Sequence, residues 1–202
     1  MFFHRRQTKD EQKQRVMPRS SLDAIMSSVE PRTTPRRMAS DIAREAVETA
    51  QARDMRMILM QGSIGCGKST IAAEMQKLGS VEVVSADNYF VRDGVYKFRG
   101  DELWAAHAEC QRKAGEILSN SANIVVVDNC NANNADVHQY ISLANNKALV
   151  VRIVPRNQNE AIRCGNRSVH KVPQQSVMNT FKKMEALTGK NIITMDEKVI
   201  GL

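Results

Sequence analysis

Aromatic side chains are scarce: Trp, Tyr and Phe together make up 4% of the 202 residues. Few platforms remain on which an exposed base or sugar could stack. Cysteine is equally sparse, and Cys66, Cys110, Cys130 and Cys164 stand far apart without a C-x-x-C pair or a Cys/His ligand spacing. That pattern excludes a disulfide-framed scaffold and a structural zinc site, and it predicts reduced thiols. His107, His138 and His170 are scattered and predict no metal role. No apolar run reaches the roughly 18 residues needed to span a bilayer. The opening Met1-Phe2-Phe3 turns at once to His4-Arg5-Arg6, without the apolar core of a secretory signal. The expectation is an intracellular, cytoplasmic protein with no membrane partner.

The chain has basic charge in excess, +7 in total. Residues 1–38 hold nine Lys and Arg against four acids, so five of those seven charges belong to the first 38 residues and two to the rest. With Pro18, Pro31 and Pro35, many polar residues and little apolar periodicity, this segment is expected to be a disordered basic tail, an arm for an acidic protein partner or a nucleic acid. Residues 39–202 are expected to form one domain. Ser40 or Asp41 is placed to cap a helix through about Arg53, with Ile42, Ala43, Ala46, Val47 and Ala50 on one face.

Short apolar runs then alternate with helical segments, the signature of an α/β fold with a parallel sheet and three layers. The predicted strands are Met57-Ile58-Leu59-Met60, Val81-Glu82-Val83-Val84-Ser85, Ile124-Val125-Val126-Val127 and Ala148-Leu149-Val150-Val151-Arg152-Ile153-Val154. Helices are expected from about Lys68 to Leu78, from Asp101 to Ser119 with Leu103, Trp104, Ala106 and Ile117 inward, near Asn159 to Asn166, and from Pro173 to about Leu187. Ile192-Ile193 forms one more apolar run.

Between the first strand and its helix lies Gly62-Ser63-Ile64-Gly65-Cys66-Gly67-Lys68-Ser69-Thr70, which fits G-x-x-x-x-G-K-[ST] in full and in the structural context that confirms it. Glycines at 62, 65 and 67 let the backbone turn its N–H groups toward phosphates at a helix N-terminus. Lys68 can reach the β- and γ-phosphates, and the Ser69 hydroxyl suits Mg²⁺. ATP and Mg²⁺ are thus the expected ligands. Cys66 reads as a small filler inside the loop, with a thiol whose modification would perturb nucleotide binding.

Ligands of open α/β sheets collect beyond the carboxyl ends of the strands. Asp87 and Asp128 both fall at such ends. Asp87 is placed to take the proton of an attacking hydroxyl, and Asp128 to meet Mg²⁺ and its waters or to hold the substrate. Arg163 and Arg167 share a helical face on a candidate lid, where they could stabilise charge on the transferred phosphoryl group; Arg156 could join them.

These residues resemble the polynucleotide-kinase-like branch of small P-loop kinases, which includes the kinase half of the phage polynucleotide kinase. The likeness spans about residues 56–190 and rests on the phosphate loop, Ser85-Ala86-Asp87-Asn88-Tyr89-Phe90, Ile124 to Asn131, and Arg163 to Pro173. It implies a P-loop NTPase fold with a helical lid, Asp87 as general base, Asp128, Asn129 and Asn131 on the substrate side, and Arg163 and Arg167 as lid arginines. Two positions depart from the family: Asn88 stands where a second acid is common, and Phe90 where an arginine follows the tyrosine. The implied activity is ATP-dependent phosphorylation of a hydroxyl, with the 5′-OH of RNA or DNA as candidate acceptor. A sugar, nucleoside or antibiotic kinase, and an ATP-binding assembly factor without catalysis, stay open at this point.

Overall fold

The computed structural model describes residues 37–184 and 192–196. The tail read from the sequence as residues 1–38 therefore lies almost wholly outside the described residues. In chain order the described elements are helix α1 (Ala39–Ala52), strand β1 (Met57–Gly62), helix α2 (Lys68–Gln76), strand β2 (Val81–Val84), a 3₁₀ turn (Ala86–Phe90) and strands β3 (Val91–Arg92) and β4 (Val95–Tyr96). Helix α3 (Leu103–Asn120), strand β5 (Ile124–Val127), helix α4 (Asn134–Leu143), strand β6 (Ala148–Val154), helices α5 (Gln158–Asn166) and α6 (Gln174–Lys183) and strand β7 (Ile192–Asp196) follow.

Five of the strands form one parallel sheet in the order β2-β5-β1-β6-β7. The most apolar runs take the middle, since a parallel strand covered by helices on both faces has no polar side. All six residues of β1 and all four of β5 are buried. Alternation across the pleat divides their side chains between two layers. Ile58, Met60, Val126 and Leu149 pack with α1 and α2, whereas Met57, Leu59, Val125, Val127 and Val150 pack with α3 and α4. These are the three layers the sequence predicts. No helix of the described residues is long and apolar enough to cross a membrane.

Four sequence expectations need correction. Helix α1 starts at least two residues earlier than a Ser40 or Asp41 cap would place it, after extended Met38 and with no side-chain cap; Asp41 instead lies in the first turn, where a carboxylate favours the helix dipole. Helix α4 has no counterpart in the sequence reading, because its Asn-rich start carries no apolar period; Asn133 caps it by accepting the Asp136 N–H at 2.9 Å, and Val137 and Tyr140 anchor it. Trp104, expected inside, is 76% exposed. The buried seam of α3 is Ala106, Cys110 and Ala114, small side chains four apart that draw the helix against the sheet, and an indole does not fit that spacing. Finally, α6 ends at Lys183; residues 185–187 of the longer helix read from the sequence lie outside the described residues.

Candidate active site

Beyond the carboxyl ends of β1, β5 and β2 the chain leaves regular structure, and the candidate residues gather there. After β1 the backbone enters the loop with Gly65 and Gly67 at positive φ, 73° and 92°, before α2 begins at Lys68. The loop is packed as well as turned. A Cβ on Gly65 would stand 1.9 Å from the Cys164 carbonyl oxygen of α5, and one on Gly62 would stand 2.5 Å from the Ile153 oxygen. Gly62 also donates its N–H to the Cys130 carbonyl at 3.0 Å, tying the loop to the segment after β5. Ile64 is half-buried, while Ser69 and Thr70 are exposed at the start of α2.

Lys68 is only 7% exposed, and its Nζ donates to the carbonyls of Ser63 at 2.8 Å and Gly62 at 3.1 Å. Burial alone would push its ammonium down. The flanking Cys130 and Cys66 side chains, where ionised, and the Asp128 carboxylate outweigh that effect and hold it above the ordinary lysine range. Cys66 lies 4.0 Å from Nζ and is fully buried; burial pushes its thiol up, with Lys68 pulling weakly the other way. A buried neutral thiol is a poor nucleophile, which favours the filler reading of Cys66. All four cysteines are free.

Asp128 follows β5 directly. Burial pushes its carboxyl up, and the neighbouring negative Asp87 adds to that; the Ser69 hydroxyl, the Lys68 ammonium and His170 pull it down. Its Oδ1 is buried and has no hydrogen-bond partner among the described residues, and the same holds for the Ser63 hydroxyl. A buried carboxylate oxygen without a partner is costly, and such groups are ordinarily satisfied by a donor, a water or an ion.

Asp87 is set by Ser85, whose hydroxyl donates to the Asp128 carbonyl at 2.9 Å and accepts the Asp87 N–H at 3.2 Å. One side chain thereby links the ends of β2 and β5. The Asp87 carboxylate is about half exposed, and its Oδ1 accepts from the Tyr96 hydroxyl at 3.1 Å. The Tyr96 phenol is pushed up to about 12 by partial burial and then by the negative Asp87, so at neutral pH it donates.

Asn129 and Asn131, expected on the substrate side, spend their amides on the protein. Both are buried. Asn129 Oδ1 accepts the Ala86 N–H at 2.9 Å while its Nδ2 donates to the Tyr140 hydroxyl at 3.2 Å. Asn131, at a φ of 43° that asparagine tolerates, donates Nδ2 to the Met60 carbonyl at 2.8 Å, and its own carbonyl accepts from Gln61 at 2.9 Å. Asn129→Leu is expected to destabilise the fold by about 1–3 kcal/mol for each buried partner left unpaired, read as a lower urea midpoint at unchanged m.

Arg163 and Arg167 lie on and just beyond α5, the helix whose Cys164–Gly165 backbone abuts Gly65. Arg163 is exposed and pairs with Glu160 at 3.5 Å; Arg167 donates to Cys164 Sγ at 3.4 Å. Glu160 also accepts the Arg156 N–H at 2.8 Å, and Asn157 caps the helix start. Helix α6 closes on α5 where Gly165 meets Val177, so the two form one packed pair over the loop.

Two residues to which the sequence assigns no site role stand beside Asp87. Tyr96 arrives on β4 through the hairpin at Asp93-Gly94, a pair whose positive φ values, 49° and 75°, make the tight turn; that dipeptide was the readable signal. His170 arrives from the loop between α5 and α6, with Nε2 3.9 Å from Asp87 Oδ2. A lone histidine in a polar loop gave no signal.

A family model for the AAA domain matches residues 57–187. Human NEDD4-binding protein 2 is 30% identical over 89 residues, or 44% of this chain, and the matched part is 5% of that protein's length. Among solved structures, a gluconokinase from Sinorhizobium meliloti 1021 superposes at a TM-score of 0.52 with 16% identity, covering 69% of this chain and 81% of that one. Kti12 from Chaetomium thermophilum, in complex with ADP-AlF3, superposes at 0.50 with 13% identity, covering 69% and 88%. At such identities the likeness is one of fold.

Proposed function

This chain belongs to the AAA domain family, and on that premise we propose that it binds ATP with Mg²⁺ and transfers the γ-phosphoryl group to a hydroxyl, with the 5′-OH of RNA or DNA as acceptor. The observation that carries the reading is the division of labour between two carboxylates at one sheet edge. Asp128 is half-buried beside Lys68 and Ser69, with a buried and unpartnered Oδ1, on the phosphate side. Asp87 is about half exposed and held by a neutral donor, on the side an acceptor would approach.

The residues present fit Mg²⁺, which takes oxygen donors and few protein ligands: Ser69 and Asp128 would hold it. When bound, it neutralises charge on the β- and γ-phosphates. The chain does the rest. Loop N–H groups between Ser63 and Thr70 cradle the phosphates, and Lys68, now spent on the Ser63 and Gly62 carbonyls, swings its charge to the γ-phosphate. Asp87 takes the proton of the attacking hydroxyl. Arg163 and Arg167 reach in from the α5–α6 pair, which acts as the lid.

The acceptor assignment rests on the resemblance in the acceptor-side segments and on how open that side is. Phe98 and Trp104 are exposed next to the hairpin, so the acceptor end need not be enclosed. Labelled γ-phosphate should pass from ATP·Mg²⁺ to 5′-OH RNA or DNA oligonucleotides. Label on sugars or nucleosides alone would move the acceptor to small molecules, and ATP binding without label anywhere would leave an assembly factor.

Close packing of the loop is itself testable. Gly65→Ala forces a Cβ into the Cys164 carbonyl at a positive φ, and the loop must shift. ATP affinity is expected to fall by at least about tenfold, the equivalent of 1.4 kcal/mol, by titration with a fluorescent ATP analogue.

A further inference from the structure

We infer that Tyr96 and His170 are positioning residues for Asp87, and that their ring stack couples the α5–α6 lid to the acceptor side of the site. The inference rests on the proposed kinase reading and adds to it two residues and a link between elements.

The geometry is specific. Phe90 is buried and holds Tyr89, Tyr96 and Phe98 in edge contacts, with ring centroids 5.4, 6.3 and 5.1 Å away. Phe90 also fixes the hairpin through its carbonyl, which accepts the Lys97 N–H at 2.9 Å. Tyr96 is thereby held with its hydroxyl on Asp87 Oδ1. The outer face of its ring is covered by His170, centroid to centroid 4.2 Å at an interplanar angle of 33°. His170 Nε2, 3.9 Å from Asp87 Oδ2, is beyond hydrogen-bond distance. The imidazole therefore acts on Asp87 through the stack and by confining the carboxylate, and Oδ2 stays open to an acceptor hydroxyl.

The position of His170 in the chain gives the contact its meaning. It lies in the short loop that leaves α5 at Arg167 and enters α6 at Gln174, and Lys171 beside it holds a positive φ of 49° that turns the loop. Gly65 of the phosphate loop packs on the same α5 through Cys164. The lid thus touches the phosphate side at Cys164 and the acceptor side at His170. An acceptor that settles on Asp87 and a nucleotide that fills the loop press on two ends of one element, and loss of either contact leaves the arginines less well placed. A misplacement of about 1 Å at a reacting group is enough to cost up to ~10²-fold in rate.

Three variants test this: Tyr96→Phe keeps the stack and removes the Asp87 donor, His170→Ala removes the stack, and His170→Phe restores the stack without a ring nitrogen. With ATP·Mg²⁺ and a 5′-OH RNA oligonucleotide, Tyr96→Phe and His170→Ala are expected to lower kcat roughly 10- to 100-fold with KM for ATP unchanged, and His170→Phe to recover most of the rate. Hydrogen exchange reads the contact without any acceptor. His170→Ala is expected to speed exchange several-fold in residues 91–96 as well as 168–172, and His170→Phe to reverse it. Wild-type transfer rates in Tyr96→Phe and His170→Ala beside an inactive Asp87→Asn overturn the inference and leave the kinase reading intact. A wild type that labels no acceptor defeats the kinase reading instead. The lid contact then stands if exchange responds as described, and falls if the hairpin amides are unmoved.

Discussion

Asp87→Asn is expected to lower γ-phosphoryl transfer by ~10²–10⁴-fold while ATP affinity stays at its wild-type value. The substitution keeps the shape of the side chain and an oxygen for the Tyr96 hydroxyl, 3.1 Å away in the native protein, but it removes the carboxylate proposed to take the proton. Asp87 lies outside the phosphate loop and follows a different strand, so the nucleotide should not sense the change. Single-turnover transfer and an ATP titration on one preparation separate the two effects. Transfer that survives would move the base elsewhere, and Asp128, the other carboxylate at this edge, is assigned to the phosphate side in the proposed site. Loss of ATP binding would mean that Asp87 shapes the loop, which the contacts of Ser85 with the β5 end do not suggest.

Lys68→Met should be more severe in binding. Its stem is retained in a buried position, and only the ammonium is lost, so failure to fold is not the expected outcome. Three effects coincide. The carbonyls of Gly62 and Ser63 lose their donor, the half-buried Asp128 carboxylate loses a cation that lowers its pKa, and in the proposed site the γ-phosphate loses its charge partner. Removing one preorganised donor from a developing anion typically costs about 10²–10³ in kcat, and here ground-state affinity for ATP falls with it. Equilibrium titration and single-turnover rates check both. Binding that persists with transfer lost would confine Lys68 to the transition state.

Much of this was legible in the chain itself. The phosphate loop is written in spacing, because only glycines at fixed intervals allow its turn and only Lys followed by a hydroxyl completes it. Strands β5 and β6 fall where their β-branched runs fall, since a strand buried on both faces reads as a nearly continuous apolar run, broken in β6 only by Arg152. Asp128 is found by its place after such a strand. Helix α4 escaped because its hold on the protein is tertiary: Tyr140 meets Asn129 from a different element. Trp104 misled because periodicity tells which residues share a face and not how close that face comes to the sheet. The small seam of α3 decided the distance, and the indole was left outside.

The sequence alone determined the loop, the central strands and the strand-end acids, because each is encoded in a window shorter than one element. Tertiary structure alone decided that the amides of Asn129 and Asn131 would turn inward and that Tyr96 and His170 would meet over Asp87. Those outcomes depend on where a two-residue hairpin turn and the α5–α6 loop deliver their side chains, and residues so remote in the chain share no periodicity by which one could announce the other.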